Sequence, residues 1–148
     1  MSVRGIRGAT TVEANEEQVI LEATAELFQQ LVDANGIVPE DIASIIITVT
    51  QDLDAAFPAR AIRELPGWDL VPLMCALEVS VKGSLEKCIR LMVHVNTDKR
   101  QDEIRHIFLG RSRTLHPDLA EKEYFFVKHQ VSLHAGWPHF LRDETIKT

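Results

Sequence analysis

An apolar run at residues 88–95 carries an arginine at its third position. The run is rich in branched and large apolar side chains, which is typical of a buried β-strand. Arg90 keeps its charge at any ordinary pH, and burial of an unpaired guanidinium would cost several kcal/mol, as an order of magnitude. The sequence therefore predicts a β-sheet in which something negative lies against Arg90, either a protein carboxylate, a bound anion or both.

The length and composition of the chain are those of one globular domain. Its 148 residues can bury a core, and 45% hydrophobic with 26% charged residues is ordinary for a soluble protein. No apolar run approaches the roughly 20 residues that cross a bilayer, and the first residues lack a signal-peptide core. We therefore expect a cytoplasmic protein with no membrane partner.

The charge of the chain restricts its partners. A net charge of −6 argues against a nucleic-acid partner, because phosphate binding needs a basic face. Residues 8–59 contain no lysine or arginine, so the arginines gather in a few other segments. These arginines are either solvated surface residues or parts of a local anion site, and their spacing leaves both interpretations open.

The residues that could bind a metal have no familiar spacing. Cys75 and Cys88 are 13 positions apart without a CxxC pair, so we interpret them as reduced thiols. His129, His134 and His139 recur every five residues, which fits neither a helix face nor a usual metal motif. We expect no metal site.

The periodicity predicts an α+β chain with one mixed sheet. Asn15 is the expected N-cap of one long helix that ends at Asn35 and Gly36. Because one long helix covers only one face of a sheet, oligomerisation is expected to cover the other face. The other predicted elements are strands at residues 3–7, 45–49, 69–74, 88–95 and 104–109, a helical turn at Pro39 and a short helix that begins at Pro58.

Five motifs occur in one order along the chain. They are VRGIRGATT at residues 3–11, AFPAR at 56–60, CxxE at 75–78, CIR at 88–90 and QDxIRH at 101–106. Together they resemble the small α/β chorismate mutases, a type distinct from the all-helical one. The likeness predicts a chorismate-mutase-like domain at residues 1–119, which leaves 120–148 as a C-terminal extension of unknown role.

This resemblance implies a fold, an assembly and a reaction. Each sheet, with the long helix and short helices on one face, would pack with two others into the pseudo-α/β-barrel core of a homotrimer. Active sites would lie at the subunit interfaces. The reaction would be the Claisen rearrangement of chorismate to prephenate, on the route to phenylalanine and tyrosine, with no cofactor. The two carboxylates of chorismate would explain an arginine-rich pocket on an acidic protein.

The resemblance names three catalytic residues, and the chemistry supports one of them independently. The breaking ether bond gathers negative charge on its oxygen, so a fixed cation there stabilises the transition state more than the ground state. Arg90 is expected to supply that cation, and Arg7 to hold a carboxylate. Glu78 is expected to accept a hydrogen bond from the ring hydroxyl and to pair with Arg90, although it could be a plain salt-bridge partner.

The resemblance also implies a set of substrate-binding residues. Arg60 and Arg63 would reach in from the neighbouring subunit, and Phe57 and Leu73 would pack against the ring. The other expected contacts are Ala59, Met74 through its backbone, Cys75 on the pocket wall, Phe108, Leu115 and His116.

Two of these positions depart from the family. Phe108 replaces a common tyrosine, which removes one possible hydrogen bond worth about 1 kcal/mol. His116 stands where an arginine is often found, and it is a weaker, pH-dependent cation.

Two functions other than chorismate rearrangement are also considered for such a trimeric scaffold. The alternative is a non-catalytic trimeric anion- or ligand-binding protein on the same scaffold. Arg7, Glu78 and Arg90 together favour the enzyme, because a binding protein has no need for a cation at an ether oxygen. An imine deaminase of similar trimeric architecture has no support from the motifs.

Overall fold

Residues 1–115 form one five-stranded mixed sheet with helices packed on it. A computed structural model describes residues 1–115, so His116 and the expected extension at 120–148 lie outside the described residues. Sheet order is β3-β2-β4-β1-β5. The central strand β4 is antiparallel to β1 and β2, whereas β3 and β5 pair in parallel with β2 and β1. The elements are β1 (Ser2–Thr11), α1 (Glu17–Asn35), β2 (Ile42–Val49), α2 (Ala59–Arg63), β3 (Leu73–Leu77), β4 (Cys88–Thr97) and β5 (Ile107–Phe108), with 3₁₀-helices at Pro39–Asp41, Gln101–Glu103 and Gly110–Thr114.

The long helix α1 follows its predicted pattern except at its N-cap, which is Glu16. Ile20, Leu27 and Leu31 form one buried face against the sheet. The helix ends where Gly36 adopts a left-handed conformation with φ 61°. The prediction that Asn15 caps the helix is wrong: its side-chain oxygen instead accepts backbone hydrogen bonds from the loop at residues 54–55, at 3.1 and 3.0 Å.

The two faces of the sheet differ. On β4, Ile89, Leu91 and Val93 are buried in the core beneath α1. Arg90 and Met92 alternate with them and lie on the other face, which we call the open face. The Arg90 side chain is 40% exposed. The prediction of a buried strand is therefore right for one face and wrong for the face with Arg90, because the described helices α1 and α2 both pack on the same side.

The strand predictions differ from the structure mainly in their bounds. The predicted strand at residues 69–74 begins later, because residues 65–71 form consecutive turns that bring Trp68 edge-on against Phe28, with ring centroids 4.8 Å apart. The resulting strand β3 lies at the sheet edge, as Pro72 predicted. The last strand, Ile107–Phe108, is shorter than the predicted 104–109 because only these two residues pair with β1.

No helix within residues 1–115 combines the length and the apolar character needed to cross a membrane.

Candidate active site

A cleft of about 180 Å³ opens on the open face, where β1, β2 and β4 lie side by side. Pairing of β4 with its two neighbours sets Arg90 opposite Ala9 and Thr48, and sets Met92 opposite Arg7 and Ile46. Residues that face each other across antiparallel strands point to the same side of a sheet, so polar and apolar groups from three strands converge. The cleft is lined by Arg7, Gly8, Ile46, Thr48, Glu78, Arg90, Leu91, Met92 and Phe108.

Arg90 and Glu78 form an ion pair in this cleft. The backbone N–H of Glu78 donates to the carbonyl of Val49 at 2.9 Å, which holds Glu78 beside β2 just after β3 ends. The Nη1 atom of Arg90 lies 3.2 Å from Oε2 and 3.4 Å from Oε1 of Glu78. The expected partnership of these two residues is confirmed. Both bonds involve Nη1, so the pair differs from the fork-to-fork arrangement in which two guanidinium nitrogens take part.

Thr48 is a cleft residue that the sequence analysis missed. Its hydroxyl donates a hydrogen bond to Oε1 of Glu78. The signal in the sequence is a hydroxyl within the apolar run of β2. That this hydroxyl lies in the cleft could be recognised only from the pairing of β2 with β4, which sets Thr48 opposite Arg90.

Arg7 and Phe108 enter the cleft through the edge of the sheet. The backbone N–H of Arg7 donates to Nδ1 of His106 at 2.9 Å, immediately before β5 pairs in parallel with β1. That pairing brings Phe108 beside Ala9, and Leu115 packs against both. The structure thus places Arg7 and Phe108 in the cleft lining, whereas Leu115 packs on Phe108 outside that lining.

The other expected site residues lie on the helix-covered side or at the edge of the sheet. Leu73 and Cys75 are half-buried against the core beneath α1 and α2. Met74 alternates with them and is exposed beside Ile46. Within residues 1–115 of one chain, Leu73 and Cys75 therefore do not line the cleft that contains Arg90.

Residues of α2 are also separated from the cleft within one chain. Phe57, just before α2, is 78% exposed, and Arg63 is exposed as well. Ala59 is half-buried against the core. Arg60 pairs with Glu17 at 2.9 Å and with Glu64 at 3.0 Å, both on the surface. These residues would meet a cleft only if that cleft belonged to another copy of the chain.

The two cysteines are free thiols in the described structure. Burial raises the pKa of Cys88 to about 11, so its nucleophilic thiolate is scarce near neutral pH. Residues 1–115 hold no group of three or more side chains that could bind a metal ion. Among the described lining residues, the charged groups are therefore the guanidinium groups of Arg7 and Arg90 and the carboxylate of Glu78.

A mixed sheet with guanidinium groups in a cleft on its open face defines a protein suited to small anionic ligands. Sequence comparison identifies the family. Residues 3–119 match the family described as chorismate mutase type I, and the chain belongs to this family.

Similar proteins agree with this assignment. The chain is 48% identical to chorismate mutase AroH of Bacillus subtilis (strain 168) over 120 residues, which cover 81% of this chain and 94% of that protein. It is 49% identical to chorismate mutase AroH of Thermus thermophilus over 118 residues, covering 79% and 96%. A solved chorismate mutase from Clostridium thermocellum is 50% identical, with a TM-score of 0.73, and the match covers 75% of this chain and 98% of that one.

Proposed function

We propose that the chain rearranges chorismate to prephenate in the cleft that contains Arg90. The chain is a chorismate mutase by family, and the observation that ties this activity to the cleft is the Arg90–Glu78 pair beside Arg7. Two guanidinium groups and one carboxylate give the described lining residues a net positive charge. Such a lining suits a substrate with two carboxylates on a protein whose overall charge is negative.

Arg90 is the proposed stabiliser of the transition state. Charge develops on the ether oxygen as the carbon–oxygen bond breaks, and a cation fixed there lowers the barrier. The central strand β4 fixes the backbone of Arg90, and Glu78 holds its side chain at 3.2 Å. Partial exposure of the Arg90 side chain supports the role, because a substrate can reach it.

Positioning is the second proposed contribution. Chorismate must fold so that its two reacting carbons lie close together, and holding that shape removes part of the entropic barrier. Arg7 would bind a carboxylate, Glu78 the ring hydroxyl, and the apolar side chains of Ile46, Met92 and Phe108 would enclose the ring. No cofactor is needed, because the rearrangement moves electrons only within the substrate.

A neighbouring subunit is proposed to complete the site. A cleft of about 180 Å³ is smaller than the roughly 300–1,000 Å³ of typical small-molecule sites. Phe57 and Arg63 are exposed on α2 and its preceding loop, so a second copy could present them together with Ala59 and Arg60. This geometry supports a site shared between subunits, and the family resemblance makes a homotrimer the proposed assembly.

We further propose that residues 1–119 form the catalytic domain, residues 120–148 a separate extension, and that the enzyme works in the cytoplasm. The family match at residues 3–119 supports the first boundary.

The activity is tested by mixing purified protein with chorismate and following the loss of its ultraviolet absorbance. We expect a rate well above the spontaneous rearrangement, with prephenate as the product, and heat-denatured protein serves as the control. Binding of chorismate without acceleration would support the anion-binding alternative and refute the enzyme.

A further inference from the structure

We propose that Thr48 is a positioning residue that sets the orientation of Glu78 and, through it, of Arg90. This inference rests on the proposed function and deepens it. The Thr48 hydroxyl donates to Oε1 of Glu78, and Arg90 Nη1 lies 3.2 Å from Oε2. The carboxylate is therefore held between a neutral donor on β2 and a cationic donor on β4.

The sheet register creates this arrangement. Thr48 and Arg90 are direct partners across β2 and β4, so their side chains share the open face. Glu78 joins them because its backbone N–H binds Val49, the residue after Thr48. Ser44 and Ile46 are the other residues of β2 whose side chains lie on the open face. Thr48 is the one of these three residues that both carries a hydroxyl and lines the cleft.

The hydroxyl matters because a carboxylate and a guanidinium prefer two parallel hydrogen bonds. With Thr48 on Oε1, Glu78 meets Arg90 through Nη1 alone. Without that donor, the carboxylate can turn to take two guanidinium nitrogens at once. Arg90 would then follow Glu78 and move from the place where the ether oxygen gathers charge.

Thr48→Val is the test, because valine keeps the branched shape and removes the donor. We expect kcat/KM for chorismate to fall about 10- to 100-fold, the range for a lost hydrogen bond to a charged group. The loss should fall mainly on kcat, since Arg90 acts in the transition state. Thr48→Ser should restore at least a third of wild-type kcat. A Thr48→Val enzyme with wild-type kcat would overturn the proposal.

A double-mutant cycle separates positioning from general damage. If Thr48 acts through Glu78, then Thr48→Val added to Glu78→Ala should change kcat less than twofold. If Thr48→Val lowered kcat as much in the Glu78→Ala enzyme as in the wild-type enzyme, the proposal would be contradicted. Ser44→Ala is the matched control, because this hydroxyl lies on the same strand and face but pairs with His94. It should leave kcat within twofold of wild type.

The wild-type assay keeps the two proposals distinct. A wild-type protein that does not accelerate the reaction refutes the proposed function. An active wild type whose Thr48→Val variant is equally active refutes only the role of Thr48.

Discussion

Arg90 shows how a strand residue can be rigid and still accessible. Its backbone lies in the central strand and its Nη1 is held by Glu78, yet 40% of its side chain is exposed. Full burial of an arginine requires compensation by other charges, which would compete with the substrate. Half-burial on the open face avoids that competition and keeps the cation in a fixed place.

Arg90→Lys should lower kcat/KM by about 10²- to 10³-fold, the range for loss of one donor to a developing oxyanion. Lysine keeps the charge, but its compact ammonium does not reproduce the planar guanidinium that binds Glu78. The check is chorismate turnover, with circular dichroism to show that the fold is intact. Arg100→Lys is the control, because its ion pair with Asp102 is on the surface, and it should be fully active. Near-normal turnover in Arg90→Lys would contradict the assigned role.

Cys88 should resist alkylation in the folded protein. Burial raises its pKa to about 11, so only about a thousandth of the thiol is ionised at pH 8. Cys75 is only half-buried. Brief treatment with iodoacetamide, followed by peptide mass spectrometry, should therefore label Cys75 ahead of Cys88, and the difference should disappear in guanidinium chloride. Faster labelling of Cys88 in the native state would show that β4 is less protected than its burial indicates.

The end of α1 gives a test at the scale of an element. Gly36→Ala should lower the free energy of unfolding by about 1 kcal/mol, because alanine disfavours the left-handed conformation that Gly36 adopts. An added Cβ would meet no atom within 4 Å, so the cost is conformational rather than steric. Urea denaturation measures it. Gly36→Asn should cost less, since asparagine tolerates this conformation, and an equal cost would contradict that explanation.

Sequence could predict the elements better than their relation to each other. The period of α1, the branched residues of β2 and β4 and the helix opened by Pro58 are local patterns, and each element is found near its predicted place. The predicted role of Asn15 as a helix cap was wrong because its side-chain amide binds a loop 39 residues away. Thr48 was missed for the same kind of reason, since sheet register is a long-range property that no window of sequence contains.

At the scale of the whole molecule, the sheet has one face that the described helices cover and one that they leave accessible. Val3, Ile46 and Met74 are exposed apolar residues of β1, β2 and β3, and the alternation of each strand sets Ile46 and Met74 on the open face. Apolar side chains around a polar cleft are typical of a surface that meets another protein. The proposed trimer would cover this surface and bring α2 of one chain towards the cleft of the next.

Mixed trimers test this assembly directly. In a cyclic trimer each site would take Arg7 from one chain and Arg63 from its neighbour. Chains with Arg7→Ala and chains with Arg63→Ala should each be inactive alone. Co-expressed in equal amounts with two affinity tags, they should recover roughly a quarter of wild-type activity, because random assortment joins an intact Arg7 to an intact Arg63 at one interface in four.

The control for this experiment pairs residues that line one cleft in the same chain. Arg7 and Arg90 lie together in a single subunit, so every chain in a mixture of Arg7→Ala and Arg90→Ala carries a defective cleft. That mixture should recover no activity, whereas the mixture with Arg63→Ala should. Size-exclusion chromatography with light scattering should give three times the 16.7 kDa mass of one chain for all variants. Equal recovery in both mixtures, or no recovery in either, would contradict the assignment of Arg7 and Arg63 to different subunits. Either result would refute a site shared between chains.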